Sequence, residues 1–530
     1  MHHPSIIFHN CRIFDGNTFL SSNTSALAIK GGVIEALGSD IDIVALAGPN
    51  TRMINGEGKL LLPGLIDSHT HLSMYAARKL QVDLSGCASL QEALKVIRAG
   101  VERSAAGEWV VGYGWDKNLW GDEYPTRQML DEISTRHFIS MQSKDWHSLW
   151  VNTPVLAVCG IDATMRDPAG GTILRQSDGR EPNGILQENA CTIVLKQIAP
   201  IPLEQLYPAL KKTFEECHEF GITAIHSVET NYDFANYSRL YSQGRLGLRI
   251  FFYFPAMHLK DNSFSDFAKE SGNSFLKICG AKLFMDGTLG SQTADMLQSL
   301  EGLDHKGVAV LTEGQLAEYL TLAVEQGHSC AIHAIGDAAN RKTLDGFAAV
   351  REESKRKGLR HRIEHAQILD PADIARFAEL DIIASVQPIH LAADIPLIER
   401  YLGERSRFAY AFSSLHRSGA MLAFGSDTPV ESFDPWKALY TAIKRKYLCN
   451  PDAQSLFAAE GVTLKEGLKA YTANSAYTVF EEDRLGVLNA GMLADVVLLN
   501  ASLFDEDAES LLSTKPLLTL QNGRVVYDAL

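Results

Sequence analysis

The stretch Leu61–Leu72, LLPGLIDSHTHL, sets the reading of the whole chain. Leu60, Leu61 and Leu62 run into Pro63-Gly64, which breaks the preceding segment. Leu65-Ile66-Asp67 then reads as a short buried strand, with His69 and His71 at its C-terminal end. Residues two apart on an extended strand share a face. Two imidazoles so placed can grip one metal ion, and neutral imidazole nitrogen suits zinc and its first-row neighbours. Two unrelated histidines at a strand end would look the same, so the rest of the chain has to decide.

Composition narrows the classes. The 530 residues suffice for a large domain and a smaller one, and 46% hydrophobic with 21% charged residues is ordinary globular composition. The formal net charge of −15 speaks against nucleic acid or an anionic membrane as partner, since both need basic surface. No apolar run approaches the roughly 20 residues that span a bilayer. The opening MHHPSIIFHNCRIFDG lacks the basic start and apolar core of a signal peptide. The eight cysteines are scattered without a CxxC and read as reduced thiols of a cytoplasmic protein. A small-molecule substrate is the expected partner, with a homodimer as the default assembly.

Both ends read as β-structure. Ala26–Ile29 and Val33–Leu37 flank Gly31-Gly32, and Leu517–Tyr527 places Asn522-Gly523 between two apolar runs; each is a hairpin signal. Neither end is large enough to bury a good core alone. Residues 1–62 and 480–530 are therefore expected to pair into one discontinuous β-sandwich domain. Between them, over 63–479, apolar runs recur and several end in a polar or ionisable residue: Leu65–Ser68, Ile222–His226, Leu248–Phe254, Ala281–Met285, Cys330–His333, Arg362–His365, Ile382–Gln387 and Met421–Asp427. Helical patterns such as Glu313–Gln326 and Pro371–Glu379 fill the gaps. The alternation predicts a distorted TIM (β/α)8 barrel, whose active site lies at the C-terminal strand ends. The gap of about 150 residues between His71 and Ile222 far exceeds a normal crossover. Residues 73–220 are expected to form an inserted subdomain containing Trp115, Trp120, Trp146 and Trp150, either roofing a substrate pocket or serving as a structural cap.

His333, His365 and Asp427 each end an apolar run. With His69 and His71 they bring four imidazoles and a carboxylate to the mouths of separate strands. Buried ionisable groups are costly without partners, so packing explains this set poorly. Lys282 sits within a strand; its ordinary explanation is a lysine reaching a strand end or a carboxylate. Glu364 precedes His365, and strict alternation would turn it to the other face as a structural residue.

The order His-x-His, Lys, His, His, Asp resembles the amidohydrolase superfamily of metal-dependent hydrolases. It is flanked by PGLIDSHTH and by Gly491-Met-Leu-Ala-Asp-Val-Val-Leu-Leu. GYGWDKNLW, PTRQMLDE, GGTILR, KLFMDGTLGS, SVQPIH and FGSDTPVESFDP are similar to the YtcJ-like branch, which includes N-substituted formamide deformylase. The resemblance runs over almost the whole chain. It implies the barrel, the flanking sandwich, and one or two divalent ions, usually zinc. It further implies His69, His71, His333, His365 and Asp427 as ligands, with Lys282 as a bridging carboxylated lysine.

The chemistry expected is hydrolysis of a C–N bond in an amide, formamide or cyclic amide by metal-activated hydroxide, with Asp427 as general base and then acid. Deamination, ester hydrolysis or isomerisation at the same site is the alternative, and a non-catalytic regulatory protein on the scaffold is a further one. Candidate substrate contacts are Trp115 and Asp116, His226, Asp286 with Gly287, and Gln387 with His390. Trp146 and His147 in KDWHSLWVN resemble a further family motif.

Overall fold

Leu65–Thr70, the strand that ends at the two histidines, is buried along its whole length. In the computed structural model, which describes residues 3–120, 124–144, 148–168, 171–177, 179–261, 275–448, 453–503 and 508–530, it is one edge of an eight-stranded parallel sheet. The strands are β1 (Leu65–Thr70), β2 (Ile222–Val228), β3 (Arg249–Pro255), β4 (Leu276–Phe284), β5 (Ser329–Ala334), β6 (Arg362–His365), β7 (Ile383–Val386) and β8 (Leu422–Phe424). They neighbour one another in chain order. The edges then meet: Asp427 N–H donates to His69 O at 2.7 Å and His71 N–H to Thr428 O at 2.8 Å, a parallel bridge at Thr70 and Thr428. The predicted barrel therefore forms and nearly closes.

Strands buried on both faces read as continuous apolar runs. That is why RIFFYFP and SCAIHA, almost wholly buried, were visible as strands. The helices begin and end where local chemistry dictates. At Glu313–Gln326, Thr312 and Gln315 form a capping box and Gly327 closes the end in the left-handed region. At Pro371–Glu379, Asp370 caps the start and proline takes the first position.

The two ends of the chain build two sheets. One has the order Val33–Gly38, Ala26–Lys30, Ile6–His9, Arg52–Asn55; the other Arg12–Ile13, Leu60–Pro63, Val496–Leu499, Pro516–Gln521, Arg524–Asp528. Ile6, Phe8, Leu27 and Ile29 from the first share one core with Leu61, Val496, Leu498, Leu518 and Leu520 from the second.

The chain divides into two compact units, Met1–Leu72 with Lys212–Leu530, and Ser73–Lys211. The second has its own six-stranded sheet, in the order Gly171–Arg175, Pro182–Glu188, Ser148–Val151, Phe138–Ser143, Trp109–Trp115, Val82–Asp83. Alternation along Ser148–Val151 sends Trp150 into one core with Trp115, and Leu149 and Val151 into the other. Helix Leu90–Glu102 covers the first core with Ala93, Ile97 and Val101. No helix among the described residues is long and apolar enough to cross a membrane.

Candidate metal centre and active site

The C-terminal ends of β1 and β8 are tied by Asp67, whose Oδ1 accepts from the backbone N–H of His69 at 3.2 Å and of Ser426 at 2.9 Å. Beyond this tie the side chains converge. His71 Nε2 lies 3.0 Å from Asp427 Oδ1, and His69 Nε2 lies 3.4 Å from the same oxygen. These three groups bring their ligand atoms within 4.8 Å of one another. Burial pulls His69 down to about 4, so it is a neutral ligand at pH 7. Burial opposes the charge of Asp427, yet the imidazoles of His69 and His71 outweigh it and hold the carboxyl well below the usual range.

A second group shares the aspartate. His365, His390 and Asp427 also bring ligand atoms within 4.8 Å of one another, and His390 Nε2 lies 3.7 Å from the other oxygen, Asp427 Oδ2. The His365 ring stands between those of His69, 5.3 Å away, and His333, 4.5 Å away. His333 turns its Nε2 to the Gly287 carbonyl at 3.1 Å, and it joins neither group. Burial, with Lys282 nearby, pushes His333 down to about 3. Lys282 is buried beside them, its Nζ without a hydrogen-bond partner among the described residues and 4.8 Å over the Phe284 ring. Burial lowers its amine to about 8.

Glu364 corrects the expectation drawn from alternation. Its Oε2 accepts from His69 Nδ1 at 2.6 Å and its Oε1 lies 2.5 Å from Arg362 Nε. Arg362 in turn reaches His226 Nδ1 at 2.8 Å and stacks 4.1 Å over the Tyr253 ring. Side chains of β6 thus meet those of β1, β2 and β3, which is feasible only across the barrel interior. Glu364 faces inward as alternation with Arg362 requires. It is His365 that departs, because its φ of +74° and that of Ala366, +42°, turn the chain into the left-handed region. Two successive side chains therefore enter the barrel.

The remaining candidates divide. His226 packs against Phe251 and Tyr253 and binds Arg362, beneath the cluster. Asp286 accepts from the backbone N–H groups of Asp295, Ile335 and Gly336 at 2.8–3.0 Å, organising the loops after β4 and β5. Gln387 is buried, its amide donating to Ser385 O. Trp115 lies in the core of the second unit, with its indole N–H given to Met141 O at 2.8 Å. It and Asp116 line a pocket there with Lys117, Tyr124 and Ser143. Trp146 and His147 lie outside the described residues. Two features escaped the sequence reading. One is the pairing of Glu364 with His69. The other is Glu229, just past β2, buried with its Oε2 accepting from Ser227 Oγ at 2.7 Å and Tyr237 Oη at 2.8 Å. Its only signal was an acid following the apolar run ITAIHSV.

The donor set suits a divalent cation. Neutral imidazoles and an ionised carboxylate are what first-row metals take. His69 also has its second ring nitrogen committed to a carboxylate, as metal-bound histidines commonly do.

Comparison with known proteins agrees with this arrangement. The sequence profile of the amidohydrolase family matches residues 52–527. The chain is 31% identical to Protein LONG AFTER FAR-RED 3 of Arabidopsis thaliana, covering 99% of this chain and 92% of that one. It is 30% identical to YtcJ of Bacillus subtilis, covering 95% and 96%, and 25% identical to N-substituted formamide deformylase of Arthrobacter pascens, covering 99% and 98%. An uncharacterized metal-dependent hydrolase of Pyrococcus horikoshii superposes with a TM-score of 0.78 at 26% identity, over 94% of this chain and 99% of that one. With the barrel, the histidine cluster and a profile match over residues 52–527 in agreement, the chain belongs to the amidohydrolase family.

Proposed function

We propose that this chain is a metal-dependent hydrolase that cleaves the C–N bond of an amide, formamide or cyclic amide. The observation that carries the reading is the convergence of His69, His71 and Asp427, at 3.0–3.4 Å, on one point at the C-terminal mouth of the barrel. These three residues would hold a divalent cation, with zinc the first choice for such ligands. A bound divalent ion supplies Lewis acidity and lowers the pKa of a water molecule from about 15.7 to about 7.

The chain's own groups supply the rest. Asp427, acceptor-only while ionised, takes the proton of the attacking water and returns it to the departing nitrogen. Glu364 holds His69 with Nε2 turned toward Asp427. Lys282, with its amine lowered to about 8 by burial, has an uncharged fraction that can add to carbon dioxide. The N–C bond forms, an N–H proton leaves to solvent, and a carboxylate replaces a cation in the cluster. The relative that deformylates N-substituted formamides supports a small acyl group on the substrate. The seven described cysteines form no disulfide with one another, which supports a cytoplasmic setting.

The test is a screen of the zinc-loaded chain against N-formyl and N-acyl amines, reading release of the amine. Hydrolysis that stops on chelation and returns with zinc is the expected result. Ammonia release or ester cleavage alone would move the assignment to deamination or esterase chemistry. No turnover of any of these by metal-loaded protein would sink the enzyme reading.

A further inference from the structure

Arg362 is a buried cation that the mechanism above does not use. It opens β6 and lies wholly inside the barrel. Among the described residues its one ion pair is with Glu364, two positions along the same strand face, with Nε 2.5 Å from Oε1. Two further strands hold the guanidinium. Nη1 donates to His226 Nδ1 of β2 at 2.8 Å, since an arginine can only donate. Cζ stands 4.1 Å from the centroid of the Tyr253 ring of β3. His226 is itself fixed, packed against the rings of Phe251 and Tyr253.

Stability does not account for this arrangement. Taking two charges out of water costs about as much as their attraction returns, and apolar side chains of similar volume are often neutral or stabilising in their place. What the pair provides is a carboxylate with one orientation. With Oε1 on the guanidinium, Oε2 is left to accept from His69 Nδ1 at 2.6 Å. A hydrogen on Nδ1 makes Nε2 the lone-pair nitrogen, and Nε2 is the atom turned toward Asp427 at 3.4 Å. We propose that Arg362 is a positioning residue for the metal centre: anchored by His226 and Tyr253, it fixes Glu364, and through Glu364 both the orientation and the tautomer of His69. The inference rests on the metal-hydrolase reading. It gives His226 the task of holding the arginine, in place of a contact with substrate.

The experiment is a double-mutant cycle on zinc affinity, measured for the full chain after chelation and dialysis by competition with a chelating dye. Arg362→Gln is expected to weaken binding by about 10-fold or more, as outer-shell partners do. Added to Glu364→Gln, it should change the affinity by less than about 2-fold, because the residue through which it acts is already altered. A loss of about 10-fold in both backgrounds would overturn the proposal, since a general disturbance of the barrel does not need Glu364. So would unchanged affinity in an Arg362→Gln protein whose circular dichroism is native. Should that variant fail to fold with its carboxylate left unpaired, His226→Leu decides in its place. It removes no charge of the pair and takes away the acceptor for Nη1. It should weaken zinc binding by about 3-fold or more alone, and have no effect once Glu364→Gln is present. Equal losses in the two backgrounds, or none in either, would overturn the proposal. All of these results leave the hydrolase reading standing, whereas no zinc binding by the unaltered chain would remove both.

Discussion

Asp427 and His365 both leave their strands in the left-handed region, with φ of +59° and +74°. That local turn is what aims their side chains at His69 and His71. Bulky residues adopt such φ values only where surrounding structure holds them, commonly at functional sites. The sequence revealed these residues because each closed an apolar run, and their backbone twist was invisible in it. The misplacement of Glu364 follows directly, since alternation was extended one residue past the point where it stops. Asp427→Asn keeps the size of the side chain and removes the charge. It should lower turnover by about 10²–10⁴-fold, the range for a general base, with the far-ultraviolet circular dichroism unchanged; turnover near that of the unaltered chain would exclude Asp427 as proton carrier. Glu364 and Arg362 are 0% exposed. Burial opposes the charge of Glu364, but Arg362 and His69 outweigh it and hold the carboxyl well below its usual range. Glu364→Gln should weaken zinc binding by about 10–100-fold, measured by competition with a chelating dye. Glu364→Ala should in addition destabilise the fold by about 3–5 kcal/mol, because it strands a buried guanidinium.

At the scale of elements, turn chemistry and helix caps were the most legible features. Glu313–Gln326 and Pro371–Glu379 begin and end as read, because capping box, proline and glycine mark their ends in the sequence. β4 was read only from Ala281, whereas it starts at Leu276. Lys277 and Gly280 interrupt its apolar run, and Gly280 is there because a Cβ would stand 2.2 Å from Ser329 O of β5. Both predicted hairpins form with two-residue turns, Gly31-Gly32 at φ +61° and +85° and Asn522-Gly523 at +50° and +68°. The two tips also meet, since a Cβ on Gly523 would lie 3.0 Å from Gly32 Cα and 3.0 Å from Ile29 Cγ2. Gly58 provides the control, with φ +76° and nothing within 4 Å of its Cβ position. Gly58→Ala should therefore cost only the backbone term, about 1–2 kcal/mol. Gly523→Ala should cost about 1 kcal/mol more, in the range for forced overpacking, as read from urea unfolding. Equal losses would show that the two tips move apart freely.

The whole first unit depends on residues far apart in sequence. Strand Pro516–Gln521 pairs with Val496–Leu499, which pairs with Leu60–Pro63. Thr519 Oγ1 donates to His218 O and Gln521 Nε2 to Thr223 O, joining the sandwich to the last turn of the helix Leu203–Glu219 and to the start of β2. That the ends would meet was legible from hairpin signals too small to stand alone. The sheet of the second unit was not, because strands such as Val82–Asp83 and Ser148–Val151 are too short to show a period. Buried neutral histidines tie the stability of this assembly to pH. Burial pushes His218 and His361 down to about 4 from the ordinary 6.5. His361 Nδ1 accepts from Cys330 N–H at 3.0 Å while Nε2 faces Ser354 Oγ at 2.9 Å, so protonating it would break the bond to Cys330. Below about pH 6.5 the unfolded chain takes up protons that the folded chain refuses. Stability is then complete above that pH and declines as the pH falls toward about 4, by about 1.4 kcal/mol per pH unit for each such histidine. His361→Gln removes one of these protons. It should unfold at lower urea than the unaltered chain at pH 7.5, where the lost packing against Phe347 dominates. Between pH 6 and 4.5 its decline should be shallower by one proton. Urea midpoints measured across that range on chelated protein decide the matter, since every other titrating group is common to both chains and cancels in the difference. Parallel curves would mean that His361 binds its proton in the folded state as readily as in the unfolded one.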